Sequence, residues 1–176
     1  MRTTVLIFHL DYARSHANRA LADAVDTSPD VEIVDMGGLY PDGAIELEAE
    51  VARLLAADRL VLQFPVQWYS TPPLLKAWQD TVLTRMYYMR PVEEGERLRG
   101  LPVMIAATAG NDPSAYTSGG ANLFSLEELL KPLRATANRC FWRWADPFLI
   151  YRANKASADE LALAGRLYAK RLAEWN

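Results

Sequence analysis

The chain alternates short apolar runs with longer amphipathic ones. Residues 3–9, "TTVLIFH", are continuously β-branched or apolar, as a strand buried on both faces should be. "ARSHANRALADAV" then places Ala17, Ala20, Leu21 and Ala24 at helical spacing, with Ser15 as N-cap. A second strand is predicted over 31–35, "VEIVD", followed by a turn at "LYPDGA". A helix follows over 45–57, with Ile45, Ala49, Ala52 and Leu55 on one side. "RLVLQF" (59–64) is the third strand, and Pro72 and Pro73 open a helix whose face carries Leu75, Trp78 and Val82. "LPVMIAAT" (101–108) is the fourth strand. Ser125 and Glu128 form a capping box with Phe124 and Leu129 placed as a staple, and Pro132 kinks that helix or ends its first segment. A fifth strand is expected within 140–151, broken or held to an edge by Pro147. The last helix, Ser157 to Glu174, carries Leu161, Ala164, Leu167, Tyr168 and Leu172.

Strands alternating with such helices predict right-handed βαβ units and a parallel sheet covered on both faces. Five strands in one domain of 176 residues favour a flavodoxin-like three-layer sandwich, order 2-1-3-4-5, over a six-stranded sheet. Ligands of such sheets bind beyond the carboxyl ends of the strands, near the switch point between strands 1 and 3. The loops after His9, Phe64 and Thr108 are therefore the candidate site.

Composition changes this picture little. A net charge of −3 offers no basic footprint for nucleic acid, and it is weak for an electron carrier steered by charge. No apolar run reaches the length of a membrane span. The N-terminal run lacks a signal-like h-region and cleavage site, and reads as a strand. The single Cys140 has no intrachain partner, so the chain is expected to be cytoplasmic. Two His and one Cys provide no metal cluster, and a Gly-x-Ser-x-Gly elbow is lacking.

The first loop, "HLDYARSHAN", ends at a helix N-terminus suited to a phosphate, with Ser15 and Asn18 as side-chain donors. Taken alone, Ser15 is better explained as a simple helix cap. No Gly-x-Gly-x-x-Gly is present for a dinucleotide pyrophosphate. In the second loop, "VQWYS", the backbone N–H groups of Gln67 to Tyr69 can meet the polar edge of a planar ring on which Trp68 packs. Trp68 and Tyr69 would also suit a subunit contact. The third loop, "TAGNDPSAYTSGGAN", sets Tyr116 among flexible residues, as a mobile surface loop would. A flat, phosphorylated ligand, a flavin, accounts for all three loops together.

At these residues the chain resembles the flavodoxin-fold NAD(P)H:quinone oxidoreductase family that includes DT-diaphorase. Within it, the chain is most similar to the ancillary flavoprotein subunits of glutathione-gated potassium efflux systems. The resemblance is carried in order by "SHANRAL", "LYPDGAI", "FPVQWYSTPPLLKAWQD", "TAGNDPSAY", "LKPLRATANRC" and "RLYAKRLAEW", most specifically by P-x-Q-W-Y-S-x-P-P-L-L-K-x-W. It implies flavin-phosphate contacts at His9, Ser15, His16, Ala17 and Asn18. It implies isoalloxazine contacts at Val66, Gln67, Trp68 and Tyr69 and at Thr108, Ala109, Gly110 and Asn111. Tyr116 falls on the family's catalytic-side tyrosine.

Three departures stand out. Leu10 replaces a frequent Pro, Thr-Ala-Gly-Asn replaces Thr-Thr-Gly-Gly, and "YTSGGAN" lacks the histidine that partners the tyrosine in DT-diaphorase. The resemblance implies FMN rather than FAD, because the chain lacks the C-terminal extension that holds an adenine half. It further implies a homodimer with the flavin near the interface, and ping-pong hydride transfer from NAD(P)H to a quinone. The apolar helix 72–83, with Trp142 and Trp144, supplies surface for a second copy, the alternative being that these residues simply complete a monomer core. The alternative role is a regulatory subunit docked on a potassium efflux antiporter at the inner face of the cell membrane. For that docking the charged, mobile-looking segment 89–100, "MRPVEEGERLRG", is the candidate patch.

Overall fold

In the computed structural model, which describes residues 1–175, Thr3–Ile7 forms β1, and all five of its residues are buried. Val31–Asp35 is β2, Arg59–Pro65 is β3 and Pro102–Thr108 is β4, all in parallel register. The order β2-β1-β3-β4-β5 is the flavodoxin-like one expected, with one difference at its edge. The fifth position is divided into β5, Arg143–Trp144, which pairs with Pro102 and Val103, and β6, Phe148–Ile150, which pairs with Ala106 to Thr108. Pro147 lies between them, and proline has no N–H to continue the ladder.

Alternation along β1 sends Val5 and Ile7 to one face and Leu6 and Phe8 to the other, which sorts the helices into two layers. On the first face lie α1 (His16–Asp23) and the long α7 (Ala158–Glu174). They touch closely at Gly165, where a Cβ would lie 2.8 Å from the Ala20 carbonyl oxygen, so the small residues of α1 let the two backbones meet. On the second face lie α3 (Leu47–Leu55), α4 (Pro73–Trp78) and α6 (Lys131–Arg139). The short helices α2 (Met36–Leu39) and α5 (Leu126–Leu129) start at Asp35 and Ser125, each of which caps with its side chain. The Ser125–Glu128 capping box forms as read, and Pro132 in the first turn of α6 separates α5 from α6.

The α4 helix continues through wider turns over Gln79–Leu83 and Arg85–Met89, ending with Arg90 N–H donating to the Arg85 carbonyl five residues back. Its predicted face is buried: Leu75, Trp78, Val82 and Met86 are fully enclosed, each side chain contributing roughly 2 kcal/mol of apolar burial. Beneath it the carboxylate of Glu50, itself fully buried, accepts from Trp78 Nε1 at 3.0 Å, the Tyr40 hydroxyl at 2.8 Å and Arg53 Nε at 3.2 Å.

Four expectations are corrected. The second long helix turns Val51 and Leu54 inward while Ala49 and Ala52 face water, because the acid at Glu50 is matched by buried partners that a hydropathy pattern does not see. Leu167 is 51% exposed, and Gly165, Tyr168 and Leu172 form the packed stripe of α7. Trp142 is buried in the chain's own core, its Nε1 donating to the Tyr87 hydroxyl at 2.7 Å, so it leaves little surface for a second copy. The segment 89–100 is folded rather than loose: a helical turn spans Gly95–Leu98, and buried Glu94 accepts from Arg85 Nε at 3.1 Å.

Candidate functional site

The loop after β1 leads from His9 to the N-terminus of α1. Ser15 Oγ accepts from the Asn18 backbone N–H at 3.3 Å and from Asn18 Nδ2 at 3.1 Å. The first intrahelical bond is Arg19 N–H to the Ser15 carbonyl, so the N–H groups of His16 and Ala17 project from the helix end. Asn18 Nδ2 also reaches the Thr108 hydroxyl at 3.2 Å, and the Asn18 carbonyl accepts from Gln63 Nε2 at 2.8 Å. These bonds join α1 to the ends of β3 and β4. His9 Nδ1 accepts from the Asp11 N–H at 3.0 Å, which places the ring proton on Nε2. Burial holds its pKa below the ordinary value, against the opposing pull of Asp11 and Asp35. The result is a cavity of about 300 Å³ that brings His9, Ser15, His16, Ala17, Asn18 and Thr108 together. It offers helix-end N–H groups and a hydroxyl, a donor set matched to a phosphate, while the Asn18 amide is committed to Ser15 and Thr108.

The loop after β3 is a tight turn. Gln67 N–H donates to the Ser70 carbonyl and Ser70 N–H to the Gln67 carbonyl, both at 3.0 Å. The Gln67 N–H is therefore committed within the turn, which corrects the expectation that it faces a ligand. Trp68 and Tyr69 occupy the two central positions with φ of 46° and 64°. Such turns normally take Asn-Gly, because a side chain in the left-handed region costs of order 1–3 kcal/mol. An aromatic pair held there is stored strain, and Trp68 is 92% exposed at its tip. Val66 N–H donates to the Thr108 carbonyl at 2.8 Å, setting this turn beside the third loop. Val66 and Tyr69 also line a narrower cavity of about 160 Å³ against α5 and α6.

The third loop folds on itself. Asn122 N–H donates to the Ala115 carbonyl at 2.8 Å, and Gly120 fits against the backbone where a Cβ would lie 2.4 Å from the Ser114 carbonyl oxygen. Ala109 is buried, whereas Gly110 and Asn111 are exposed. Tyr116 is buried and packs edge-on against Tyr151, with ring centroids 5.6 Å apart. Burial raises its pKa and nearby Tyr69 adds to this, against a hydrogen bond from the Asn111 backbone. The Tyr69 hydroxyl donates to Asn122 Oδ1 at 3.4 Å, bridging the second loop to the third. The phosphate-type residues thus share one cavity, while Trp68, Gly110 and Asn111 stand at exposed positions outside it. Arg14 and Asn154 line that cavity too, and Tyr151 and Asn122 flank Tyr116 and Tyr69. Sequence reading missed these four, because none lies on a periodic face or in a motif.

A parallel sheet with its ligand loops at the strand ends defines a flavodoxin-like protein, and the chain belongs to the flavodoxin-like fold family, matched over residues 1–172. It is 40% identical over 172 residues to the uncharacterized NAD(P)H oxidoreductase YdeQ of Bacillus subtilis (strain 168), covering 98% of this chain and 86% of the relative. It is 38% identical over 161 residues to the glutathione-regulated potassium-efflux system ancillary protein KefF of Klebsiella pneumoniae (strain 342), covering 92% and 89%. General stress protein 14 from Treponema denticola, crystallised in complex with FMN, shares the structure with a TM-score of 0.88 and 30% identity over 98% of each chain. The family resemblance read from the sequence is thereby shown.

Proposed function

We propose that the chain is an FMN-dependent NAD(P)H:quinone oxidoreductase. The observation that carries this reading is the phosphate-type cavity at the N-terminus of α1, tied through Asn18 and Thr108 to the strained Trp68–Tyr69 turn. The residues present fit FMN. The His16 and Ala17 N–H groups, the Ser15 hydroxyl and neutral His9 would hold the phosphate, with Asn18 fixing the helix end to β4 beneath it. Val66, Trp68 and Tyr69, together with Thr108, Ala109, Gly110 and Asn111, would frame the ring. The fold and the FMN-bound relative favour FMN over FAD. When bound, FMN would supply the redox chemistry, taking a hydride from NAD(P)H and, in ping-pong order, giving it with one proton from solvent to a quinone, which leaves as the hydroquinone. Tyr116 holds a proton on its buried hydroxyl and donates a hydrogen bond to a carbonyl of nicotinamide or quinone. Trp68 and Tyr69 limit the approach of flat substrates to the ring.

Trp68, Leu123 and Phe124 are exposed and Tyr69 is half-exposed, and a second copy covering them would complete a homodimer with the flavin at its interface. Support for that dimer rests on these residues, since Trp142 belongs to the core. Two measurements test the proposal: identification of the chromophore released from purified protein, and steady-state turnover of NADH and NADPH with a small quinone. Turnover of about 1 s⁻¹ or more is expected; protein that takes up no flavin refutes the reading.

A second reading is favoured by the likeness to KefF: an ancillary subunit of a potassium efflux antiporter, held at the inner face of the membrane by its partner. Among the described residues no helix is long and apolar enough to cross a membrane, so any such association would run through a surface. The exposed Met89 and Val92 of the folded 89–100 segment, with Tyr88 just before it, are the apolar part of that surface. Tight flavin binding with turnover orders of magnitude below 1 s⁻¹, together with co-purification of an antiporter, is the outcome that selects it.

A further inference from the structure

The cavity at α1 is built by a fourth segment besides the three loops of the strand-end rule, the connection from β6 to α7. Its backbone is sewn to the third loop. Ala109 N–H donates to the Ile150 carbonyl at 2.8 Å, Ala153 N–H to the Ala109 carbonyl at 2.9 Å, and Arg152 N–H to the Asn111 carbonyl at 3.0 Å. Arg152 adopts the left-handed region, φ 56°, where a non-glycine residue is held only by its surroundings. Its guanidinium supplies that restraint, meeting Asp112 at 3.1 Å in the third loop and Glu160 at 3.7 Å in the first turn of α7. This turn of the chain delivers Ala153 and Asn154 to the cavity wall beside His9, Ser15 and Asn18. The Asn154 amide lies over Gly110: a Cβ built there would stand 3.5 Å from Asn154 Nδ2.

We propose that Asn154 is a cofactor-binding residue of this site, its Nδ2 donating to the phosphate of FMN, and that Arg152 is the positioning residue that holds it there. The inference rests on the FMN reading above. The cavity otherwise draws its side-chain donors from the β1–α1 loop and α1, and Asn154 adds an uncharged donor from the far end of the chain. A carboxamide at that point attracts a phosphate without forming an ion pair that would have to be broken on release. Arg152 in turn converts the order of the third loop into the placement of Asn154, because the same residue bonds Asn111 through its backbone and Asp112 through its side chain.

The test is titration of FMN and of riboflavin into flavin-depleted full-length protein, read by quenching of flavin fluorescence. Asn154→Ala is expected to weaken FMN about tenfold, the loss of one hydrogen bond to a charged group. Riboflavin, which has no phosphate, should bind both proteins alike. Asn154→Asp should weaken FMN further, since a carboxylate then faces the phosphate, and again spare riboflavin. Arg152→Ala should weaken FMN and make the 152–155 segment more accessible to protease. Arg152→Gly, whose backbone accepts the positive φ, should fall between it and the wild type. Melting midpoints of the flavin-depleted Asn154 variants should stay within about 2 °C of wild type, as for exposed substitutions. If Asn154→Ala and Asn154→Asp bind FMN as the parent does, or lose FMN and riboflavin equally, the assignment is wrong while the FMN reading stands. If the parent binds no FMN, both fall together.

Discussion

Asn18 donates its Nδ2 to the Thr108 hydroxyl at 3.2 Å, joining the first turn of α1 to the last residue of β4 across 90 positions of sequence. Both side chains are buried, and the same amide bonds Ser15, while its Oδ1 has no partner among the described residues. Asn18→Ala should therefore act twice. It should lower stability by about 1–3 kcal/mol in urea unfolding, because Thr108 is left unpaired. It should also weaken FMN by more than tenfold, since the helix end is no longer fixed to the sheet. A variant that lost stability but kept FMN affinity would make the bond purely architectural.

The Trp68–Tyr69 turn stores strain that the fold alone does not need. Replacing the pair by Asn-Gly, the residues this backbone prefers, should raise the urea midpoint by an amount equivalent to about 1 kcal/mol or more. The same variant should lose quinone turnover, because the ring-facing aromatics are gone. Gain of stability with loss of activity is the signature of a functional turn. Loss of both would show that Tyr69, through Asn122, braces the third loop.

The parts of the fold legible in the chain are those whose interactions carry local signals. Continuous apolar runs mark β1, β3 and β4, and serine caps with glutamates three residues on mark the starts of α5 and α7. Pro147 marks the divided edge strand. The inward face of α3 is hidden from a hydropathy pattern because Glu50, charged by type, is buried on Tyr40 and Trp78, partners from outside its own helix. Asn154 is invisible for a similar reason. Its position depends on the pairing of β6 with β4 and on a positive φ at Arg152, neither of which leaves a pattern in "YRANKA".

His9 gives a pH dependence with a definite sign. Burial lowers its pKa below 6.5, so as pH falls the unfolded chain takes up the proton first. Its contribution to stability is fully present above 6.5 and is lost as pH drops through that value toward the lower folded one. Flavin-depleted protein should therefore lose more stability on acidification than His9→Gln does, compared in parallel melts. With FMN bound, a phosphate beside the ring favours the charged imidazole, and the difference should shrink. Equal acid slopes for parent and variant would remove His9 from the balance.

Tyr116 is buried against Tyr151, and its pKa lies above the ordinary 10.0 chiefly because burial disfavours the phenolate. The hydroxyl accordingly keeps its proton through the whole neutral range, and what stability its burial in the neutral form adds is lost only in alkali, as pH rises through the folded value. Two kinetic consequences arise for a phenol that donates a hydrogen bond to a substrate carbonyl. Turnover of the parent should show no inflection from this residue between roughly pH 6 and 9. Tyr116→Phe, which keeps the ring and its packing on Tyr151, should lower kcat about tenfold to a hundredfold. FMN content and melting midpoint should stay near those of the parent, because the phenol ring, not its oxygen, fills the cluster with Ala109 and Leu126. A fall in flavin content that accounted for the lost rate would make Tyr116 a part of the flavin pocket only. Unchanged turnover would leave the donor role to Tyr69, a half-exposed residue whose hydroxyl is already turned toward Asn122.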